Sequence, residues 1–413
     1  MERLVIVGGG HVAAALLSQL QKQGYGGQIT LLSAEGTLPV NRPLLSKDYL
    51  LGKADDSQLT LLDPQRLPDL QLDIRLDSGV CAIDRQQRRV LLQDGSSLGW
   101  DRLVLATGAR LRQLQIPGSQ LEGVCYLKTR ADAERLRARL RPGQRLTVIG
   151  GGFIGLEIAA SGRQLGLDVT LLEAGGRLLQ RVADAAVAEY LAGLHQQQGV
   201  EIRYHSKVAE LQASQVPGHQ VNQVLLEDGS VIPTDLVVVG IGVEPDSALA
   251  QAAGLDCDNG VRVDALCQTS DPAIFAAGDC ANRFNRFYQR QLRLESVESA
   301  QHQAAIIAAR LCQQPEPADA PAWFWSTQYG HKLQMVGLPD GCDQVLSRQQ
   351  ADSARGVSWL YLAGNRLLAC HSLGRPADFL QAKKLIVNAT ELDLERLSDG
   401  DIPLNQCLQL QPA

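Results

Sequence analysis

The chain has no C-x-x-C pair, no H-E-x-x-H motif, no long apolar run and no excess of basic side chains. Its nine cysteines, at 81, 125, 257, 267, 280, 312, 342, 370 and 407, are odd in number and scattered. That spacing suits neither a disulfide framework nor the clustered thiolates of a zinc site or iron–sulfur cluster, so they read as small core residues. The seven histidines are equally dispersed and form no metal motif. With 39 basic and 45 acidic side chains the net charge is −6, which argues against nucleic acid or an anionic membrane as the main partner. The apolar run Leu236 to Val243 is far too short to span a bilayer, and a strand beginning by Leu4 leaves no room for a signal segment. A soluble cytoplasmic protein is expected. At 413 residues, two or three domains are expected as well.

What the chain does have is glycine concentrated in two places. Gly8-Gly9-Gly10-His11-Val12-Ala13 follows Leu4-Val5-Ile6-Val7, and Gly150-Gly151-Gly152-Phe153-Ile154-Gly155 follows Leu146-Thr147-Val148-Ile149. An alanine- and leucine-rich helical stretch comes after each. In such a strand–turn–helix unit the first glycine permits the tight turn, the second admits a pyrophosphate, and the third small residue packs helix on strand. The phosphate rests on the helix N-terminus, where free N–H groups and the positive dipole end favour an anion. An acidic residue about 20 positions on would take the ribose hydroxyls. Glu35 stands after Ile29-Thr30-Leu31-Leu32 and Glu173 after Val169-Thr170-Leu171-Leu172. Two dinucleotide sites in one chain are therefore expected.

The second half repeats the plan of the first. Asp94-Gly95 and Asp228-Gly229 mark matching hairpin turns. Leu103 to Ala106 closes on Thr107-Gly108, Ala131 to Leu140 reads as a helix, and Arg141-Pro142-Gly143 turns into the second fingerprint. Leu236 to Gly242 reads as a buried strand ending in glycines, and Ile274 to Asp279 reads as another. If Gly278-Asp279 completes the first site, the second unit is inserted within the first. The expected division is 1–109 with 235–315, then 110–234, then a tryptophan-bearing C-terminal domain over 316–413. That last domain should hold strands at Leu333 to Gly337, Val357 to Leu362 and Arg366 to His371, and a helix from Pro376 to Asn388. A helix is also expected over Ser296 to Leu311, with Ser296 or Ser299 near its start.

These residues in this order resemble the two-dinucleotide flavoprotein reductases, and specifically the NADH-dependent ferredoxin reductases that serve bacterial P450 monooxygenases and aromatic-ring dioxygenases. The match runs the whole length. Besides the fingerprints it includes Arg42-Pro43-Leu44-Leu45-Ser46-Lys47, Ala106-Thr107-Gly108-Ala109-Arg110, Gly240-Ile241-Gly242-Val243-Glu244-Pro245, Ala277-Gly278-Asp279-Cys280-Ala281 and Glu295-Ser296-Val297. Trp323-Phe324-Trp325-Ser326, followed by Gln328 and Leu333-Gln334-Met335-Val336-Gly337, is the most family-specific part.

The resemblance implies an α/β fold of two Rossmann-like, glutathione-reductase-like domains, for FAD and for NADH, with a C-terminal α+β domain. It implies FAD contacts at Gly8, Gly10, Val12, Glu35, Arg42, Lys47, Val80, Thr107, Gly108, Arg130, Asp279 and Val297, and Trp325 near the flavin edge. It implies NADH contacts at Gly150, Gly152, Phe153, Ile154, Gly155, Glu157, Glu173 and Gly242. Asp279 suits a ribityl hydroxyl, and a helix start at Val297 offers its N–H and positive dipole to the N1 and O2 edge of the isoalloxazine. Lys47, paired with Glu157, is expected where hydride arrives. A carboxylate at Glu173 accepts from ribose hydroxyls and repels a 2′-phosphate, which favours NADH; Arg177 and Arg181 in the same loop could meet a phosphate.

Three departures from the family pattern stand out. Many relatives carry an acidic residue at the position of Ala34, a double proline where this chain has Pro43-Leu44, and Asn-Arg-Pro where it has Gly374-Arg375-Pro376. The implied reaction is hydride transfer from NADH to FAD, followed by single-electron steps to a separate 2Fe-2S ferredoxin. A disulfide or peroxide reductase of this fold needs a redox cysteine over the flavin, and Pro39-Val40-Asn41-Arg42-Pro43 has no thiol. A rubredoxin reductase and a non-enzymatic FAD- and NADH-binding redox sensor are the alternatives. An acidic ferredoxin calls for a basic docking face, with candidates Arg290, Arg293, Lys332, Arg375, Lys383 and Lys384.

Overall fold

In a computed structural model, alternate residues of strand Arg3–Val7 enter two different apolar cores: Leu4 and Ile6 join one cluster, Val5 and Val7 another. A strand buried on both faces needs a layer on each side. Helices His11–Lys22 and Val297–Leu311 contribute Leu16, Leu17, Leu20, Ala304 and Ile307 to the first cluster. On the other face, the antiparallel strands Val80–Asp84, Arg89–Leu92 and Ser97–Gly99 and the segment after them supply Val90, Leu92 and Trp100. Between these layers lies a parallel sheet of five strands, in the order Ile274–Ala276, Arg102–Leu105, Arg3–Val7, Gln28–Leu32 and Gln71–Arg75.

The described residues are 1–213, 220–349 and 356–409, and the chain divides into two units. The first takes Met1–Asn41, Asp56–Arg110 and Val243–Ala322; the second takes Arg42–Asp55, Leu111–Gly242 and Trp323–Ala413. The second unit repeats the parallel sheet, ordered Glu201–Arg203, Asp168–Leu172, Arg145–Ile149, Leu236–Val239 and Val124–Cys125. It also holds an antiparallel sheet of five strands, in the order Trp323–Gln328, His331–Gly337, Arg366–Leu373, Val357–Ala363 and Gln344–Gln349, with helix Pro376–Asn388 packed on it.

The chain returns to the first unit later than the expected residue 235. Leu236–Val239 pairs with Arg145–Ile149 just as Arg102–Leu105 pairs with Arg3–Val7, so it is the third strand of the repeat. Val7 faces Leu105, and Ile149 faces Val239. Gly108 and Gly242 therefore occupy the same place, three residues past those partners, and both hold positive φ. Arg42–Asp55 also belongs to the second unit, and the C-terminal portion starts at Trp323 rather than 316.

Candidate functional site

Each glycine turn is closed on one side and open on the other. A Cβ on Gly8 would lie 2.1 Å from the Ala106 carbonyl oxygen, and one on Gly150 would lie 2.4 Å from that of Gly240. With φ of +116° and +110° as well, these two positions admit only glycine. Gly10 and Gly152, the helix N-caps, face open space, and no side chain caps either helix start. The N-termini of two 12-residue helices thus look into open cradles, which fits a pyrophosphate at each.

In the first unit the expected residues gather beyond the carboxyl ends of the parallel strands. Val12 Cγ2 lies 2.7 Å from the Cβ position of Gly278, which sets the Asp279 turn against the fingerprint helix. Thr107 donates its hydroxyl to the Asp246 carbonyl at 2.6 Å. Val297 opens its helix behind Ser296, whose side chain accepts the Ser299 N–H. Gln303 joins these parts, accepting the Gly278 N–H at 2.8 Å and donating to Ser299 Oγ at 2.9 Å. Sequence reasoning missed Gln303; its signal is a lone glutamine on the buried face of an alanine-rich helix. Val80 starts an antiparallel strand and packs partly against that layer's core.

The strand-end carboxylate expected at Glu35 needs correcting. Val7 faces Leu32 as Ile149 faces Leu172, so the counterpart of Glu173 is Ser33. Ser33 N–H bonds to the Arg75 carbonyl, and Glu173 N–H to that of Arg203, at 2.9 Å in both cases. Ser33 Oγ accepts the Glu35 N–H at 3.1 Å, while Glu173 accepts the Gly175 N–H at 2.7 Å and the Gly151 N–H at 2.8 Å. Glu35 thus sits two residues beyond the strand-end position. Of the two arginines near Glu173, Arg177 holds the loop together, bonding the Ala183 and Gln180 carbonyls at 2.6 and 3.0 Å. Arg181 lies over Gly242, with its guanidinium 2.9 Å from that residue's Cβ position.

Arg42, Lys47, Arg130 and Trp325 belong to the second unit, and the remaining expected FAD contacts to the first. Arg42 donates to the Lys128 carbonyl at 2.6 Å, and Arg130 pairs with Glu134 at 2.7 Å. Lys47 Nζ lies 2.6 Å from Glu157 Oε2, and Ser46 donates to the same oxygen at 2.5 Å. Ser326 donates to Oε1 at 2.7 Å. Glu157 is 3% exposed, and a carboxylate so deep is tolerable only with partners of this kind. Ser46 and Ser326 were not foreseen as members of this site. Phe153, at the start of the Glu157 helix, stacks on Phe324 at 4.7 Å, and Trp325 stacks on Trp323 at 5.4 Å.

The six docking candidates separate by burial. Arg375 is nearly buried, bound to Asp378 at 2.7 Å and to the Gly400 carbonyl, so it belongs to the interior rather than to a docking face. Arg293 is committed to Glu295 at 2.6 Å. Arg290, Lys332 and Lys384 are exposed, and Lys383 lies 6.0 Å from the Trp323 ring centroid.

Residues 2–304 match the family model described as pyridine nucleotide-disulphide oxidoreductase, and residues 323–408 match reductase C-terminal. The chain is 39% identical over 410 residues to putidaredoxin reductase CamA of Pseudomonas putida, across 98% of this chain and 97% of that one. It is 39% identical over 406 residues to the anthranilate 1,2-dioxygenase system ferredoxin–NAD(+) reductase component of Burkholderia cepacia, across 98% of each. The crystal structure of the covalent putidaredoxin reductase–putidaredoxin complex matches with a TM-score of 0.94 at 39% identity, covering 98% of both chains. The chain belongs to the pyridine nucleotide-disulphide oxidoreductase family and carries its reductase C-terminal domain. Among the described residues, no helix is long and apolar enough to cross a membrane.

Proposed function

We propose that the protein is an FAD-dependent NADH:ferredoxin reductase of the cytoplasm, passing electrons to a 2Fe-2S ferredoxin that feeds a P450 or aromatic-ring dioxygenase. The observation that carries this reading is the pair of open, glycine-closed cradles in one chain. The relatives named above, one a ferredoxin–NAD(+) reductase and one bound to putidaredoxin, support a ferredoxin as the electron-transfer partner. When bound, FAD supplies a carrier that takes two electrons together and releases them singly.

The protein's own residues bind and orient. Gly8, Gly10 and Val12 seat the FAD pyrophosphate, with Thr107, Gly108, Asp279 and Val297 along the ligand and Glu35, Arg42, Val80 and Arg130 as outer contacts. Gly150, Gly152, Phe153, Ile154 and Gly155 seat NADH, beside Gly242, and Trp325 stands near the flavin edge. Glu173 keeps lone pairs for ribose hydroxyls after accepting two backbone N–H groups, and its charge rejects a 2′-phosphate. Arg177 is occupied by carbonyls, which strengthens NADH over NADPH. Lys47, held by Glu157, places a fixed positive charge where hydride is delivered. Lys332, Lys383 and Lys384, all in the second unit, supply basic groups for docking an acidic ferredoxin.

Stopped-flow mixing with NADH, followed by ferredoxin-dependent cytochrome c reduction, tests the assignment. Rapid flavin bleaching and turnover that needs ferredoxin are expected. Slow bleaching without ferredoxin-dependent turnover would overturn it in favour of a redox sensor.

A further inference from the structure

Behind the Lys47–Glu157 pair runs a line of buried polar side chains. Ser326 and Gln328 stand two apart on strand Trp323–Gln328, on one face, and are 1% and 3% exposed. Gln328 Nε2 lies 3.1 Å from Ser326 Oγ, and its Oε1 lies 2.8 Å from Nε2 of His195, a residue 0% exposed on helix Ala185–Gln197. The Tyr329 hydroxyl lies 3.3 Å from His195 Nδ1.

Hydrogen-bond inventory fixes the direction of every link. An ionised carboxylate only accepts, so Ser326 directs its single proton to Glu157 Oε1. Ser326 Oγ then accepts, and Gln328 must turn its amide NH2 toward it. The Gln328 carbonyl oxygen therefore faces His195, whose Nε2 carries the proton. Burial holds His195 below the ordinary imidazole range, so the ring is neutral and Nδ1 is bare. Burial pushes the Tyr329 phenol up, which keeps it a donor to that nitrogen.

A second observation points the same way. Tyr329 and Gly330 form the two-residue connection from Trp323–Gln328 to His331–Gly337, with φ of +51° and +81°. Positive φ is natural for Gly330 but costly for a bulky aromatic residue. The Tyr329 ring meets His195 edge-on at 5.0 Å, in addition to the hydroxyl contact, and those interactions offset the cost.

We propose that Tyr329, His195, Gln328 and Ser326 form a one-directional hydrogen-bond chain that positions Glu157, and through it Lys47. The functional consequence rests on the reading of Lys47 and Glu157 as the hydride-delivery pair. All four are positioning residues. They converge from a helix, a strand and a hairpin turn, so the carboxylate is oriented by groups far apart in the chain.

Two measurements on the FAD-loaded protein test this. The first is nitrogen NMR of the His195 ring, which should show a neutral imidazole protonated at Nε2; a proton on Nδ1, or a charged ring, would overturn the chain. The second is stopped-flow flavin reduction. Ser326→Ala should slow it about tenfold or more at saturating NADH, with little change in NADH affinity. Ser326→Thr, which keeps the hydroxyl, should restore the rate. Gln328→Glu removes the N–H donor toward Ser326 without changing shape, and should slow reduction alone yet add nothing in the Ser326→Ala background. Wild-type rates in Ser326→Ala, beside a slow Lys47→Met, would refute the positioning role. A Lys47→Met protein that reduces flavin normally would instead remove the hydride-delivery reading, leaving the histidine signal to judge the chain.

Discussion

The two glycine turns share strand register, helix length and closing contacts, yet differ at the first residue past the second strand: Ser33 in one and Glu173 in the other. The hydroxyl and the carboxylate make the same local bond, to the N–H two residues on. Only Glu173 also reaches the Gly151 N–H and brings a charge. One scaffold thus offers a neutral rim and an anionic rim. In the proposed function the shared parts would hold a pyrophosphate, and the rim would decide which nucleotide is accepted or refused.

The strongest way to break the comparison is to fill each closed side in turn. Gly8→Ala should cost about 1–3 kcal/mol in backbone strain, besides the clash with Ala106, and yield protein without flavin colour. Gly150→Ala should stay yellow but fail to bleach with NADH. If both variants lost the same cofactor, the two cradles would not be separate sites. Absorption spectra before and after NADH addition read this directly.

Acid should separate the two units next. His371 is buried in the second, and burial pulls its imidazole down to about 4. An unfolded histidine near 6.5 binds its proton first. The stability contributed by the neutral ring is therefore complete above about pH 6.5 and is lost as pH falls toward 4, by about 3 kcal/mol. The first unit's histidines, His11 and His302, are only partly buried. Three of the four tryptophans, Trp323, Trp325 and Trp359, lie in the second unit, so their fluorescence should report its earlier loss. A His371→Gln protein with unchanged acid sensitivity would refute the assignment.

Exchanging the rims sharpens the comparison further. Glu173→Ser, which copies the first turn, should lower the preference for NADH over NADPH by about ten- to a hundredfold, as the ratio of kcat/KM values would show. The smallest effect is expected at the docking face. Lys384→Glu should reduce ferredoxin turnover only a fewfold, and most clearly at low salt, because exposed charges contribute about 0.2–1 kcal/mol each. An effect independent of ionic strength would mean that Lys384 does not act through charge.

Much of the fold was legible in local pattern. The expected helix from Pro376 to Asn388 has those limits, and the strands near Leu333, Val357 and Arg366 appear within two residues of the expected ends. The helix at Ser296 starts with that serine as its cap. Each signal there is contained in a few adjacent residues. Placement of Leu236–Val239 was not legible, because an apolar run ending in glycine suits either sheet, and only its pairing with Arg145–Ile149 assigns it. Counting about 20 residues from a glycine likewise found Glu35; pairing with Leu32 found Ser33.

By itself the sequence determined where the chain must turn, which faces are apolar, and that two phosphate cradles exist, since glycine freedom, helix starts and period-two burial act over a few residues. Tertiary structure alone decided what surrounds Glu157. Lys47, Ser326 and His195 lie dozens to over a hundred positions from it or from one another, and no local pattern records a contact whose reason is that a buried charge must collect its donors from wherever the packed chain brings them.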